Sequence, residues 1–289
     1  MGDTNAKENA GELGDDVSQR KSTVADSIGD VREGSPLVQA ITNDVTINDV
    51  ANCILHWGAL PVMADSPGDA GEMVQLADAL VCNTGQVPKT KVDAMTEAAR
   101  EANDIGVPVV LDPVGVGATE TRTSVVASLL SSIDFAAIKG NYGEISTLAG
   151  VDAQVKGVES IGEYDAIEET AQALAETSGA VVVASGVEDV VADAERVCRL
   201  SAGHELMGAV VGTGCMLGAT LAAFCGAADD YWSACVGGTV AFGIAGERAA
   251  AVDIDGPASF RTAFLDSIAS TTPETVAADS LDGRLVDTD

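Results

Sequence analysis

Short apolar runs that alternate with helix-period segments constrain this chain more than any other feature. The runs are Leu60-Pro61-Val62-Met63-Ala64, Ala79-Leu80-Val81-Cys82-Asn83, Val107 to Asp112, Phe135-Ala136-Ala137-Ile138 and Ala180-Val181-Val182-Val183-Ala184. They are continuously apolar rather than alternating, as strands are when both sheet faces are covered. Between them lie helical patterns. Asn48 to Trp57 puts Val50, Ile54 and Trp57 on one face, and Lys89 to Asn103 is a second helix. Strands alternating with helices imply βαβ units around a mainly parallel sheet, a three-layer α/β sandwich. Glu188 to Leu200 reads instead as a hairpin, and Gly214 to Ala250 reads as helical. Aromatics are only 3% of the chain, so the core must be built from Ala, Val, Leu and Ile. Residues 1–33 read as a disordered acidic tail, 34–271 as one domain and 272–289 as a second polar tail.

Charge narrows the partners. The 45 acidic and 15 basic residues give a formal net charge of −30, which argues against nucleic acid and anionic membrane. An acidic, Lys-poor surface suits high salt, where self-repulsion is screened over a few ångströms. The start carries neither a basic segment nor an apolar core, and no apolar run is long and clean enough to span a bilayer, so a cytoplasmic location is expected. The six cysteines include no C-x-x-C pair, which removes support for zinc and redox motifs.

In open parallel sheets the ligand lies beyond the carboxyl ends of the strands, so Asn83, Asp112, Lys139 to Asn141 and Ser185 deserve scrutiny. Gly212-Thr213-Gly214-Cys215 precedes a helical run, and amides at a helix start form an anion site suited to a phosphoryl group in transfer. Cys215 falls in the first turn, where a thiol pKa is lowered, which makes it a candidate base; it reads equally as a buried cap. This is neither a P-loop nor G-x-G-x-x-G. Asp112 could hold Mg²⁺ through water or simply form an Asx-turn before Pro113. Asn141 and Glu144 have the spacing of a capping box, or Glu144 faces Mg²⁺ while Lys139 faces a phosphate. Asn43 reads as a cap or a pocket residue, Met63 as core or pocket, and His56 and His204 as structural.

The order of these segments along one chain resembles the hydroxyethylthiazole kinase family, ribokinase-like enzymes of thiamine biosynthesis. The matching stretches are Ile41-Thr42-Asn43, Gly58 to Ala64, Leu111 to Gly115 through Thr119, Gly140-Asn141 with Glu144, Gly203-His204, Gly212 to Cys215 and Gly256 to Phe260. Most ribokinase-like relatives carry Asp where Cys215 stands. The resemblance implies a ribokinase-like fold and ATP-dependent phosphorylation of the hydroxyethyl group of 4-methyl-5-(2-hydroxyethyl)thiazole. It implies that Met63 and Gly212 contact the thiazole alcohol, with Asn43 close by. Lys139, Ser185 and Gly214 would contact ATP, Asp112 and Glu144 would arrange Mg²⁺, and Cys215 would face the substrate hydroxyl. It further implies a homotrimer with pockets at subunit interfaces. Gly208-Ala209-Val210-Val211 stands where the family commonly has Thr-Lys-Val-Thr, and Gln39 stands where His is frequent. Other readings are a hydroxymethylpyrimidine or sugar kinase, a nucleotide-dependent dehydratase of hydrated nicotinamide cofactors, and a binding protein without catalysis.

Overall fold

The computed structural model describes residues 24–150, 155–156, 159–160, 166–278 and 284–287. In chain order the elements are helix α1 (24–34), β1 (Leu37–Ile41), α2 (Ile47–Trp57), β2 (Leu60–Val62), α3 (Asp69–Val74), β3 (Ala79–Asn83) and α4 (Lys89–Ile105). Then come β4 (Val109–Asp112), α5 (Glu120–Leu130), β5 (Ala137–Asn141), α6 (Tyr142–Leu148) and the two-residue pair β6 (Val155–Lys156) and β7 (Glu159–Ser160). The remainder is α7 (Ile167–Ser178), β8 (Val181–Ser185), β9 (Asp189–Ala192), β10 (Val197–Leu200), a short 3₁₀ turn (Glu205–Ala209), α8 (Thr213–Gly226), α9 (Tyr231–Ala251), α10 (Pro257–Ser270), α11 (Pro273–Ala278) and β11 (Leu285–Asp287).

Among the described residues one nine-stranded sheet runs β11-β10-β9-β8-β5-β4-β3-β1-β2. From β2 to β8 the pairs are parallel; β8 to β11 are antiparallel. The alternation of strand side chains divides the core into two layers. Val38, Ala40, Ala79, Val81, Val110, Ala137, Val181 and Val183 face the layer formed with α1, α2, α8, α9 and α10. Ile41, Leu80, Cys82, Val109, Leu111, Ile138, Val182 and Ala184 face the layer formed with α3 to α7. Both faces are covered, which is why the strands read as unbroken apolar runs.

Helix α8 is the element that carries the Gly-rich turn to the sheet. Met216 through Cys225 are all buried, so no amphipathic face is left. It is seated by Trp57 of α2, whose ring meets Phe224 edge-on with centroids 5.3 Å apart and whose Nε1–H donates to Thr220 Oγ1 at 2.9 Å. An aromatic buried this way is typically worth about 3–5 kcal/mol against truncation to Ala.

The ordered body extends beyond the expected 34–271. Residues 24–34 are helical, with Val24, Ile28 and Val31 buried, and Arg32 donates to the carbonyls of Ala269 and Thr271 at 2.9 Å each. Apolar residues at i, i+4 and i+7 form a stripe hidden within an acidic segment. At the other end α11 buries Val276, and β11 pairs with β10 with Leu285 opposite Leu200. The rest of the expected N-terminal tail, residues 1–23, lies outside the described residues.

Candidate active site

The chain runs from β1 to β2 at one edge and then returns to place β3 on the other side of β1. The loops leaving β1 and β3 therefore diverge, opening the crevice where doubly wound sheets bind ligands. Asn43 follows β1 and Asn83 ends β3, and both are buried. Asn43 Nδ2–H donates to Asn83 Oδ1 at 3.1 Å and to Cys215 Sγ at 3.4 Å. Asn43 Oδ1 accepts the Thr46 amide at 3.1 Å, which tightens the turn into α2. Asn83 Nδ2–H in turn donates to Asp112 Oδ2 at 2.5 Å, and Lys139 Nζ stands 3.5 Å from Asp112 Oδ1. One side-chain chain thus links the ends of β1, β3, β4 and β5 to the start of α8.

Glu144 completes the cluster from α6. Asn141 Oδ1 accepts the Glu144 amide at 2.9 Å, while Glu144 Oε2 accepts the Asn141 amide at 2.8 Å: the capping box is present. The same carboxylate also accepts the Gly115 amide at 2.7 Å through Oε1. The capping and functional readings are therefore compatible in one residue. Asp112 forms no simple Asx-turn; its carboxylate is taken by Asn83 and Lys139.

The turn before α8 needs Gly212. Its φ of 98° is left-handed, and a Cβ there would stand 2.7 Å from Thr46 Cγ2. The first intrahelical bond is Met216 N–H to Gly212 O at 2.8 Å. The amides of Thr213, Gly214 and Cys215 precede it, at the positive end of the helix dipole. Lys139 Nζ lies directly beneath, 3.0 Å from where a Cβ on Gly214 would sit.

Burial dominates the electrostatics. It holds the Asp112 carboxyl above the usual carboxylate range, although Lys139 and Asn83 pull it back. It raises Glu144 likewise, opposed mainly by Lys139. Burial alone would lower Lys139, but Asp112, Glu144 and Cys215 together hold its ammonium above the ordinary lysine value. The expected lowering of the Cys215 thiol is corrected. Burial and then the Asp112 carboxylate raise it, outweighing Lys139, Thr46 and Asn83.

The remaining candidates are less central. Ser185 ends β8 and its Oγ–H donates to Gly140 O at 3.2 Å, on the β5 side of the cluster. Met63 lies just past β2, half-buried against the α2–α8 core. His56 Nδ1 contacts Leu265 O at 3.1 Å, and His204 Nδ1 accepts the Leu206 amide at 3.3 Å. Two cations went unnoticed in the sequence. Lys91 of α4 reaches back to donate to Thr42 O at 2.7 Å and to Asp44 Oδ1 at 2.8 Å. Arg122 of α5 donates to carbonyls of two strand-end loops. Neither shows a local motif, because most of their acceptors are backbone carbonyls on loops outside their own helices.

A mainly parallel sheet flanked by helices, with a glycine-led helix start facing buried carboxylates and a lysine, fits the ribokinase-like class. The same fold occurs in a ribokinase-like superfamily protein from Enterococcus faecalis V583, with a TM-score of 0.60 at 13% identity, covering 82% of this chain and 87% of that one. Within that class the sequence is specific. The hydroxyethylthiazole kinase family model matches residues 28–274, and the chain belongs to this family. It is 49% identical over 272 residues to the hydroxyethylthiazole kinase of Haloquadratum walsbyi, spanning 93% of this chain and 94% of the relative. The solved hydroxyethylthiazole kinase of Pyrococcus horikoshii OT3 superposes with a TM-score of 0.83 at 34% identity, covering 92% of this chain and 99% of that one. Among the described residues no helix is long and apolar enough to cross a membrane.

Proposed function

We propose that the protein transfers the γ-phosphoryl group of ATP to the hydroxyethyl oxygen of 4-methyl-5-(2-hydroxyethyl)thiazole, supplying the thiazole phosphate for thiamine synthesis. The observation that carries this reading is the linked set Asn43, Asn83, Asp112, Lys139 and Cys215 at the sheet's switch point, on a chain of this family. The substrate oxygen bonds to the γ-phosphorus, the bond to the β–γ bridging oxygen breaks, and ADP leaves. Gly212, Met63 and Asn43 hold the thiazole alcohol. Lys139, Ser185 and Gly214 contact ATP. The amides of the α8 start receive charge that develops on the equatorial phosphoryl oxygens.

Cys215 faces the hydroxyl and is the proposed proton acceptor. Its raised pKa disfavours the thiolate form that would accept the proton, so positioning and electrostatics carry most of the rate. Asp112 and Glu144 fit a hydrated Mg²⁺: both are buried hard-oxygen donors, and neither is neutralised by a bidentate arginine. Bound there, Mg²⁺ would neutralise phosphate charge; the chain's own part is to hold the two carboxylates close enough to act on Lys139. A homotrimer is the proposed assembly. Val45 and Val211, 70% and 75% exposed beside the α8 start, are apolar surface it would cover.

The test is a coupled assay of ATP consumption with Mg²⁺ and the thiazole alcohol at low and molar salt, with product mass checked. Thiazole-dependent phosphorylation is expected, slowed in Cys215→Ala and kept or raised in Cys215→Asp. No thiazole-dependent product at any salt overturns the reading. Full turnover in Cys215→Ala overturns only the proton acceptor.

A further inference from the structure

We propose that Arg122 is a positioning residue for phosphoryl transfer, clamping the two peptide groups whose amides hold Asn83 and Glu144 in place. This rests on the reading that Asp112 and Glu144 face Mg·ATP. Arg122 lies in the first turn of α5, just past the Pro113 to Ala118 loop, and its guanidinium is partly buried. Nη1 donates to Val114 O at 2.9 Å and to Thr84 O at 3.2 Å, and Nη2 donates to Gly85 O at 2.8 Å. Two of these acceptors have a telling partner on the far side of the same peptide plane. The Val114 carbonyl shares its peptide with the Gly115 amide, which donates to Glu144 Oε1 at 2.7 Å. The Thr84 carbonyl shares its peptide with the Gly85 amide, which donates to Asn83 Oδ1 at 2.9 Å.

A peptide is planar, so fixing its oxygen fixes the direction of its N–H. A cation on the carbonyl also polarises the unit and strengthens the bond its N–H donates. One guanidinium therefore aims two amides from different loops, one at Glu144 and one at the asparagine that holds Asp112. Gly115 is part of the same device. Its φ is 78°, and a Cβ there would lie 2.6 Å from Arg122 Nη1, so only glycine admits the guanidinium this close. Lysine cannot reproduce the clamp, because its ammonium is a point donor without the planar fork.

The experiment compares Arg122→Lys and Arg122→Gln with the wild type and with Glu144→Gln. It measures kcat, KM for Mg·ATP, KM for the thiazole alcohol, Mg²⁺-dependent ATP binding by calorimetry, and the melting temperature. Misplacing reacting groups by an ångström can cost about a hundredfold, so a kcat loss of about tenfold or more is expected in both Arg122 variants. KM for Mg·ATP should rise and calorimetric affinity should fall in parallel, while KM for the thiazole changes by less than about twofold. A lowered melting temperature with wild-type kcat and Mg·ATP affinity would overturn the inference, as would failure of both variants to fold, since Arg122 would then serve only the fold. Full rescue by lysine would overturn it too, because charge alone would suffice. If Glu144→Gln keeps wild-type Mg·ATP binding and turnover, the underlying carboxylate assignment fails instead.

Discussion

Replacing Asn83 by alanine removes a side chain that bonds both Asn43 and Asp112. Asn83 is almost fully buried and makes three bonds: it donates to Asp112, accepts from Asn43 and accepts the Gly85 amide. Asn43 retains Cys215 and the Thr46 amide as partners. The Gly85 amide and one Asp112 oxygen lose the bonds Asn83 made. A buried polar group left unsatisfied costs about 1–3 kcal/mol; Asp112 is fully buried and the Gly85 amide partly so, and a total of about 3–5 kcal/mol is expected once the cavity is included. That is a large share of the ~5–15 kcal/mol that holds a protein folded. Even 3 kcal/mol should lower the melting temperature by about 6–12 °C in a chain of this size class.

The companion variant Asn83→Asp sharpens the test. It sets a second carboxyl against Asp112, where Asn83 now donates at 2.5 Å. Two such groups cannot both ionise, so one keeps a proton and the pair's folded-state pKa rises. The sign follows: a raised folded pKa stabilises at low pH and the contribution is lost as pH rises through it. Urea denaturation and calorimetric melting between about pH 5 and pH 8 should show Asn83→Asp weakening toward neutral pH relative to wild type. A cost below about 1 kcal/mol for the alanine variant, with an aspartate variant that tracks wild type across that range, would refute the argument.

Three further outcomes can be checked. Among the six cysteines Cys215 alone is partly exposed, while burial pushes the Cys53 and Cys82 thiols up to about 12, so native alkylation should modify Cys215 first and thiazole should slow it; labelling elsewhere in folded protein would contradict this. Gly212→Ala should cost about 1–3 kcal/mol from its left-handed backbone, and activity should fall further because Thr46 must yield space beside Cys215; unchanged kcat would contradict the placement of the turn. The net charge of −30 should make the melting temperature rise with KCl from about 0.1 M to 1 M, as the screening length shortens from about 10 Å to 3 Å; a flat profile would show that self-repulsion does not limit stability.

The sequence alone determined the layered plan, because periodicity is a local signal. β3 was legible from Ala79 to Asn83, the α2 and α4 patterns were legible to within a residue or two, and the antiparallel β9–β10 hairpin was readable from two short runs. Residue order also pointed to the Gly212 to Cys215 turn, Asp112, Lys139 and Glu144. Local charge misled the reading of α1: Asp26, Asp30 and Glu33 masked a three-residue apolar stripe whose burial depends on α9 and α10. Strand order was a tertiary decision, since nothing near β1 states that β2 and β3 will take opposite sides of it. So was the character of Cys215. The helix start argues for a lowered thiol pKa, but burial and an Asp112 carboxylate from a distant strand reverse the sign. Arg122 shows the same limit most plainly, because its acceptors are carbonyls, which every residue has and no sequence pattern marks; only the folding of two loops around one side chain makes them its partners.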